Sequence, residues 1–238
     1  MSESNHKHEN PNLKYYLLDV TNLDQIKNVS QSLLSDHMLI DLFINNAGIF
    51  IRGDTILMPV IHKTMNVNFF GPKNIFEIFL KNQNFSKNCK INFVSSQMGN
   101  FTRIERNPEV YNFLLKYENQ DFYEEHLLKI INQYLKEIEG KNSGKSWSRS
   151  VYALSKLFLS IYVSILSRKH KNFHFLSLCP GWCVTDMTKG SNAPKTAAQG
   201  GSDIVKGIMS YQNQKLSGKF VKSAELWDIK ENIKIELI

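Results

Sequence analysis

Residues 39–44 are apolar except for one aspartate, Leu39-Ile40-Asp41-Leu42-Phe43-Ile44. A run of this length fits a strand that is buried on both faces of a sheet, as parallel strands are. Helical patterns flank it, at residues 24–35 before the run and at residues 59–81 after it. This alternation of strands and helices predicts an α/β domain with a parallel sheet and helices on both faces.

The same alternation continues along the chain. The pattern predicts further strands over residues 13–18, 91–94, 173–178 and 219–221, and further helices over residues 152–168 and 196–209. The carboxyl ends of parallel strands share one edge of the sheet, and open α/β sheets bind their ligands there. Asp19, Asn46, Ser96 and the pair Pro180-Gly181 all follow predicted strands, so we expect them at that edge.

Tyr152 and Lys156 stand four residues apart on a predicted helix. A rotation of about 100° per residue brings both side chains to one helix face, so the ammonium can lie near the phenol. A phenol titrates near pH 10 when unperturbed, and a neighbouring cation favours the phenolate. The pair therefore predicts a proton-transfer site in which Lys156 lowers the pKa of Tyr152 toward neutrality. Tyr211 and Lys215 have the same spacing without the flanking strand ends, and we interpret them as a chance match.

Several motifs, in a fixed order, resemble the short-chain dehydrogenase/reductase family. They are Leu18-Asp19-Val20-Thr21, Asn45-Asn46-Ala47-Gly48, Val67-Asn68-Phe69-Phe70-Gly71, Asn92-Phe93-Val94-Ser95-Ser96-Gln97-Met98-Gly99, Tyr152 with Lys156, and Cys179-Pro180-Gly181-Trp182-Cys183-Val184-Thr185-Asp186-Met187. The glycine three residues after Ser96 makes Ser96 a better match to the family's serine than Ser95. The resemblance covers most of the chain and implies a Rossmann-like, doubly wound parallel sheet.

The resemblance implies a catalytic tetrad of Asn68, Ser96, Tyr152 and Lys156. Tyr152 would act as the general acid in the NAD(P)H-dependent reduction of an aldehyde or ketone, a small-molecule substrate. Ser96 would orient the carbonyl oxygen, and Asn68 would hold a water that links Lys156 to solvent. No metal is implied. The substrate itself is not encoded in any motif of the chain.

The cofactor contacts that the resemblance implies come from strand ends and from the helix of the tetrad. They are Asp19, Val20, Asn46, Tyr152, Lys156, Val184 and Thr185. Three of the assigned residues have rival structural interpretations. Asp19 or Thr21 could cap the next helix, Asn46 could be a strut between neighbouring strands, and Asn68 could bond a backbone carbonyl within the fold.

Within the family, the carbonyl reductases are the nearest likeness, because about 45 residues separate Gly99 from the helix of Tyr152. The likeness favours NADPH over NADH as the cofactor. The insertion, at about residues 103–149, is predicted to contain one helix that begins at Asn107-Pro108 and a second that Asp121 caps. An insertion here covers the pairing surface of other family members, so the resemblance implies a monomer.

The beginning of the sequence departs from the family's pattern. Relatives have a strand, a Gly-rich turn, a helix and a second strand before the Asp-Val-Thr motif, whereas only polar residues, 1–12, precede Leu13 here. We therefore expect a disordered tail at residues 1–12 and one N-terminally truncated Rossmann-like domain at residues 13–238. The strand at residues 39–44 should then have an unpaired edge, unless residues 13–18 move over to cover it.

Three explanations of this departure remain open. The sequence is a fragment of a longer reductase, a truncated protein that has lost catalysis and binds a partner, or a working enzyme with an altered cofactor site. Without the Gly-rich turn, the expected cradle for the cofactor's pyrophosphate is missing. If that loss abolishes binding, the chain has no cofactor.

Composition narrows the class of protein. A length of 238 residues with 42% hydrophobic residues suits one α/β core. The net charge of +7 comes from scattered lysines rather than from a basic run, which argues against nucleic-acid binding. We find neither a spanning apolar run nor a signal peptide, so no membrane partner and a cytoplasmic location are expected. Three cysteines favour free thiols over a disulfide framework.

Overall fold

The structure is a computed structural model that describes residues 12–52, 57–140 and 147–236. Its strands are β1 (Ile40–Asn45), β2 (Phe85–Val94), β3 (His174–Cys179), β4 (Cys183–Val184), β5 (Lys195–Thr196), β6 (Phe220–Lys222), β7 (Glu225–Asp228) and β8 (Ile233–Lys234). Six of them form one sheet in the order β1-β2-β3-β6-β7-β8, and β4 pairs with β5 beside it. The α/β class and the strands expected near residues 39–44, 91–94, 173–178 and 219–221 are confirmed. The expected burial of the first of these strands on both faces is wrong, because Leu42 and Ile44 are exposed.

The first four strands of the sheet are parallel. Phe43 pairs with Ile91, Ile91 with Phe175, and Leu178 with Val221. The last two strands are antiparallel, with Val221 opposite Leu226 and Trp227 opposite Lys234. The pattern of the sequence did not predict β7 and β8, because both are short and follow a turn without glycine. The sheet is thus mixed, with a parallel centre and an antiparallel end.

The helices are α1 (Leu23–Ser35), α2 (Met58–Met65), α3 (Gly71–Lys81), α4 (Pro108–Leu114), α5 (Glu124–Glu139), α6 (Val151–Lys169) and α7 (Ala197–Ser210). A π-helical turn, Asn66–Phe70, joins α2 to α3, so residues 58–81 form one continuous helix, as predicted. Such turns widen a helix by one residue and are frequent at functional sites. Here the turn contains Asn68.

The core lies on both faces of the sheet. Alternate residues of β3 point to opposite faces, so Phe175 joins the large cluster under α6 whereas Leu176 joins a smaller one under α7. Helix α6 is buried along nearly its whole length. Ser150 caps it by accepting a hydrogen bond from the backbone N–H of Ala153 at 3.2 Å. This central helix holds Tyr152 and Lys156 over the carboxyl ends of β2 and β3.

Helix α6 also corrects one expectation from the sequence. By length and composition it could cross a membrane, because its most apolar stretch of 18 residues has a mean hydropathy of 1.3. The serines and the lysine that interrupt its apolar residues hid this run from a search for continuous hydrophobic residues. Because 89% of that stretch is buried inside the protein, the helix forms part of the core of the α/β fold.

Residues 13–18 form no strand, contrary to the prediction. The segment is irregular, and the side chain of Leu17 is 95% exposed. Part of its attachment comes from polar contacts of Lys14 and Tyr16 with Asp36 at the end of α1, the tyrosine hydroxyl donating at 3.0 Å. Among the described residues no strand pairs with the outer side of β1, so the edge that the sequence analysis anticipated is open.

The insertion contains the two predicted helices, α4 and α5. Asn107 caps α4 by accepting from the backbone N–H of Val110 at 3.2 Å. Asp121 does not cap α5, which begins at Glu124 after the backbone N–H of Tyr123 donates to His126 Nδ1 at 2.9 Å. Lys73 of α3 holds Glu124 at 2.9 Å and so ties α5 to the main body. Most of the predicted loop at residues 140–146 lies outside the described residues.

Candidate active site

The carboxyl ends of β1, β2 and β3 meet at one edge of the sheet, as expected for a parallel α/β sheet. The backbone N–H of Gln97, just after β2, donates to the sulfur of Cys179 at 3.3 Å, which ties the ends of β2 and β3 together. A Cβ at Gly99 would overlap the backbone of Lys156 and Leu157. The glycine is therefore required where the β2 loop crosses α6, and the crossing brings Ser96 to the helix face of Tyr152.

The side chain of Ser96 lies near enough to Tyr152 to affect its pKa, and the Ser96 hydroxyl accepts from the backbone N–H of Met98 at 3.2 Å. The neighbouring Ser95 is buried and directed elsewhere, with its hydroxyl donating to the backbone oxygen of Lys156 at 2.8 Å and lying 2.8 Å from the hydroxyl of Ser160. The structure thus brings Ser96, and not Ser95, to Tyr152. Two hydroxyls side by side can both donate to one carbonyl oxygen.

Burial raises the pKa of Tyr152 above its ordinary value, and the side chain of Ser96 opposes this shift. The sequence predicted the opposite direction, on the argument that Lys156 favours the phenolate. Desolvation of the phenol is the largest cause of the shift, because a phenolate between α6 and the strand ends would lose its hydration, whereas the ammonium of Lys156 is directed to the backbone oxygen of Val94. The phenol of Tyr152 therefore keeps its proton at neutral pH.

Lys156 is buried, and its ammonium donates to the backbone oxygen of Val94 at 2.7 Å. Burial lowers its pKa from 10.5 to about 8, because the charged form is poorly hydrated there. A Cβ at Gly48 would lie only 3.3 Å from the ammonium nitrogen. The close approach of the Asn-Asn-Ala-Gly turn to Lys156 thus depends on glycine at this position.

Asn68 is fully buried in the π-helical turn. Its Oδ1 accepts from the backbone N–H of Ile49 at 2.8 Å, and its Nδ2 donates to the backbone oxygen of Ile49 at 3.0 Å and to Ser155 Oγ at 3.1 Å. The amide therefore clamps the turn after β1 against α6. This arrangement matches the structural interpretation of Asn68, because its side chain is committed to protein partners.

Asn46 is exposed at the end of β1, and its neighbour Asn45 is buried. Asn45 Nδ2 donates to the backbone oxygen of Pro72 at 3.2 Å, so it links β1 to the start of α3. The structural link at this position is thus made by Asn45, and its partner lies on a helix rather than on a neighbouring strand. The alternation of side chains along a strand sends neighbours to opposite faces. Asn46 is left facing the ligand edge.

Asp19 lies at the surface, with its carboxylate turned onto Thr21. It accepts from the backbone N–H of Thr21 at 2.9 Å and from its hydroxyl at 2.8 Å, and these bonds lower its pKa. Neither residue caps α1, since Asn22 accepts from the N–H groups of the first turn instead. Val20 packs against Gly71, where a Cβ would meet its side chain at 3.0 Å.

The segment after β3 turns sharply at Gly181, whose φ is 85°. L-residues rarely adopt this conformation, so the glycine is required. Beyond it, Val184 in β4 pairs with Thr196 in β5, and Val184 and Thr185 are both exposed. The Sγ of Cys183 lies 3.6 Å from the backbone oxygen of Pro180. The chain thus forms a pinned turn with two exposed residues at the ligand edge.

The mouth of the site carries apolar side chains that the sequence analysis did not assign. The ring of Phe50 packs edge-on against Tyr152, with ring centroids 5.3 Å apart. Met98 and Trp182 are exposed on the loops that follow β2 and β3. The position of Phe50 directly after the Asn-Asn-Ala-Gly turn was the available signal. These groups offer an apolar wall to the carbon skeleton of a substrate.

The family profile described as short chain dehydrogenase matches residues 2–108 of the chain. The chain is therefore similar to the short-chain dehydrogenase/reductase family over this stretch. It is 29% identical over 198 residues to a (+)-neomenthol dehydrogenase of Arabidopsis thaliana, covering 74% of this chain and 66% of the relative. It is 26% identical over 230 residues to carbonyl reductase [NADPH] 1 of Mus musculus, covering 90% of this chain and 79% of that enzyme. The predicted likeness to carbonyl reductases is confirmed.

Solved structures of family members share the fold. Salutaridine reductase from Papaver somniferum matches with a TM-score of 0.72 at 20% identity, covering 85% of this chain and 80% of that one. An NADPH-bound carbonyl reductase from chicken fatty liver matches with a TM-score of 0.64 at 21% identity, covering 90% and 76%. At these identities the matches establish the Rossmann-like architecture, into which the described strands and helices fit.

The residues of the site suit one end of a nicotinamide cofactor better than the other. Tyr152 and Lys156 lie on α6 over the ends of β2 and β3, and Asn46 and Thr185 are exposed just after β1 and β4, so these groups could meet a ribose and a carboxamide. At the adenine end, the carboxylate of Asp19 already accepts two hydrogen bonds from Thr21. The site therefore fits the reactive end of the cofactor.

Proposed function

We propose that this chain reduces an aldehyde or ketone to an alcohol with NADPH, and that Tyr152 is the general acid. The observation that carries the proposal is that Ser96 follows β2 at the strand edge over which α6 holds Tyr152 and Lys156, with Ser96 near enough to Tyr152 to affect its pKa. The names of the relatives, carbonyl reductase [NADPH] and neomenthol dehydrogenase, support a carbonyl or alcohol substrate and NADPH rather than NADH.

The two hydroxyls would hold the carbonyl oxygen of the substrate between them. A reduced nicotinamide, when bound, supplies the hydride. Negative charge then develops on the carbonyl oxygen, and preorganised donors are worth most where charge develops. Tyr152, kept protonated by its raised pKa, transfers its proton to that oxygen, and Ser96 stays hydrogen-bonded to it.

Lys156 would stabilise the phenolate that remains on Tyr152 and bond the ribose. With a pKa of about 8, its ammonium is largely charged at neutral pH and still able to exchange its proton. Asn68 supports the site by holding the backbone of Ile49. Asp19, Val20, Asn46, Val184 and Thr185 are the proposed further contacts of the cofactor, and their roles are assigned by likeness to the family.

Tyr152→Phe is the direct test. We expect kcat for a carbonyl substrate to fall by about 10²–10⁴-fold, the usual contribution of a general acid, whereas the affinity for NADPH measured calorimetrically stays within about twofold. Tyr123→Phe is the matched control, because Tyr123 is exposed in the insertion. Undiminished turnover in Tyr152→Phe would overturn the assigned role of the tyrosine.

A second candidate function has its own support. The open edge of β1 exposes Leu42 and Ile44, and unpaired edges of this kind can recruit another polypeptide. On this reading the chain is a non-catalytic Rossmann-like protein that binds a partner. Calorimetric titration with NADPH and NADH distinguishes the two: a folded chain that binds neither nucleotide favours the partner-binding function.

The proposed enzyme is a single cytoplasmic domain that acts as a monomer, without nucleic-acid or membrane partners. The support for the monomer is the position of α5, which packs on α6 through buried residues such as Leu127 and Ile131. Light scattering coupled to gel filtration tests it, and a stable dimer would contradict it.

A further inference from the structure

Lys195 of β5 lies beneath the turn that follows β3, outside the tetrad. Its ammonium donates to Asp203 Oδ2 at 2.6 Å and to Ser223 Oγ at 2.7 Å, and it lies 3.5 Å from the backbone oxygen of Pro180. These partners belong to α7, to the turn between β6 and β7, and to the turn after β3. One cation thus joins three segments that are far apart in the sequence.

The turn between β6 and β7 is strained. Ser223 and Ala224 have φ angles of 51° and 63°, a region that residues other than glycine seldom adopt. Such conformations persist where surrounding contacts hold them. Here the backbone N–H of Ser223 donates to the backbone oxygen of Cys179 at 2.9 Å, and Tyr211 donates to the backbone oxygen of Ala224 at 3.2 Å. Lys195 holds the side chain of Ser223 in the same position.

Space around the ammonium is closely filled. A Cβ at Gly181 would lie 3.1 Å from the nitrogen of Lys195 and 2.9 Å from Ser223 Oγ. The turn after β3 therefore rests directly on the Lys195–Ser223 contact. Because β5 also pairs with β4, Lys195 lies opposite Cys183 in the short two-stranded sheet, and the next pair is Val184 with Thr196.

We propose that Lys195 is a positioning residue that locks the turn of residues 180–184 in the conformation that receives the nicotinamide end of the cofactor. The effect on the cofactor rests on the proposed function. Loss of the ammonium leaves the Asp203 carboxylate and the Ser223 hydroxyl without their shared partner and removes the support beneath Gly181. The turn then loosens, and Val184 and Thr185 lose their fixed placement.

Lys195→Met tests the lock in the enzyme assay, since methionine keeps much of the side-chain length and removes the charge. We expect KM for NADPH to rise by about tenfold, the usual size of an outer-shell effect, whereas KM for the carbonyl substrate and the pH profile of kcat stay unchanged. Lys195→Arg should restore most of the affinity. The control is Lys206→Met, which changes an exposed lysine of α7, the helix that follows β5.

A second readout is independent of activity. Cys183 and Cys89 are both buried free thiols, and only Cys183 belongs to the turn. Labelling by a maleimide, followed by peptide mass spectrometry, should show Cys183 reacting about tenfold faster in Lys195→Met, with Cys89 unchanged as the internal reference. If Lys195→Met does not fold, Ser223→Ala removes one partner of the ammonium, and the same selective increase is expected there.

The outcomes separate the two proposals. Faster labelling of Cys183 without any NADPH binding by the unmodified chain would support the lock and overturn the proposed function. Unchanged labelling of Cys183, or equal increases at Cys183 and Cys89, would overturn the lock. An active enzyme in which Lys195→Met leaves KM for NADPH unchanged would likewise overturn it.

Discussion

Side chains at the centre of the sheet are buried, whereas several side chains at its β1 edge are exposed to solvent. At the centre, a chain of buried hydroxyls runs from Ser95 through Ser160 to Ser177, each step 2.8 Å long. At the edge, Leu42 is 48% exposed and Ile44 is 38% exposed on a strand with one neighbour among the described residues. The buried and hydrogen-bonded part of the sheet therefore lies next to α6, which carries the residues of the proposed chemistry.

The difference teaches how the site keeps its geometry. Tyr152 and Lys156 lie on α6, which is packed on several sides, and rigid elements hold a site more precisely than loops do. Residues 13–20, in contrast, carry Asp19 and Val20 on an irregular segment that packs on the core through partly buried side chains such as Leu18. We expect the tetrad to keep its arrangement under perturbations that loosen the β1 side.

Matched leucine substitutions provide the largest expected contrast. Leu176→Ala in β3 removes a fully buried side chain, and it should lower the free energy of unfolding by about 2–5 kcal/mol. Leu42→Ala in β1 removes a half-exposed side chain and should cost about 1 kcal/mol or less. Urea denaturation measures both, and similar losses would mean that the β1 edge is as closed as the centre.

The pH dependence of stability tests the burial of Lys156. Folding lowers the pKa of this lysine from 10.5 to about 8, so the unfolded chain binds the extra proton between these values. Stability therefore rises with pH through this window, by about 2 kcal/mol between about pH 7 and pH 9.5, whereas below pH 8 the full cost of the buried charge is present.

Lys156→Met supplies the control for this prediction. The variant should lack the rise, so the stability difference between the two proteins changes with pH. Urea denaturation at the two pH values measures it. A parallel pH dependence of the two proteins would mean that Lys156 is hydrated in the folded state.

The smallest contrast is between two adjacent asparagines. Asn45→Ala should cost about 1–3 kcal/mol of stability, because it removes a buried side chain together with its hydrogen bond to the backbone oxygen of Pro72. Asn46→Ala, at the exposed neighbouring position, should leave the stability within about 0.5 kcal/mol and weaken NADPH binding. Thermal unfolding and calorimetric titration measure the two effects, and a reversed order would restore Asn46 as the strut.

Much of the fold could be predicted from local patterns. The apolar run at residues 39–44 and the helix of Tyr152 were located to within a residue or two, because each is an apolar stretch bounded by polar residues. The strand expected at residues 13–18 was wrong, since its pattern was that of a strand but no partner lies beside it. β7 and β8 were missed, because their pairing depends on a strained turn at Ser223 and Ala224.

The sequence by itself determined which chemical groups meet, because four residues on a helix place Tyr152 and Lys156 on one face and parallel strands place their carboxyl ends at one edge. Only the tertiary structure decided the pKa values of these groups and the residues that contact them. Desolvation raises the pKa of Tyr152 and lowers that of Lys156. Desolvation comes from all the neighbours that folding packs around a group, and no spacing along the chain reveals them.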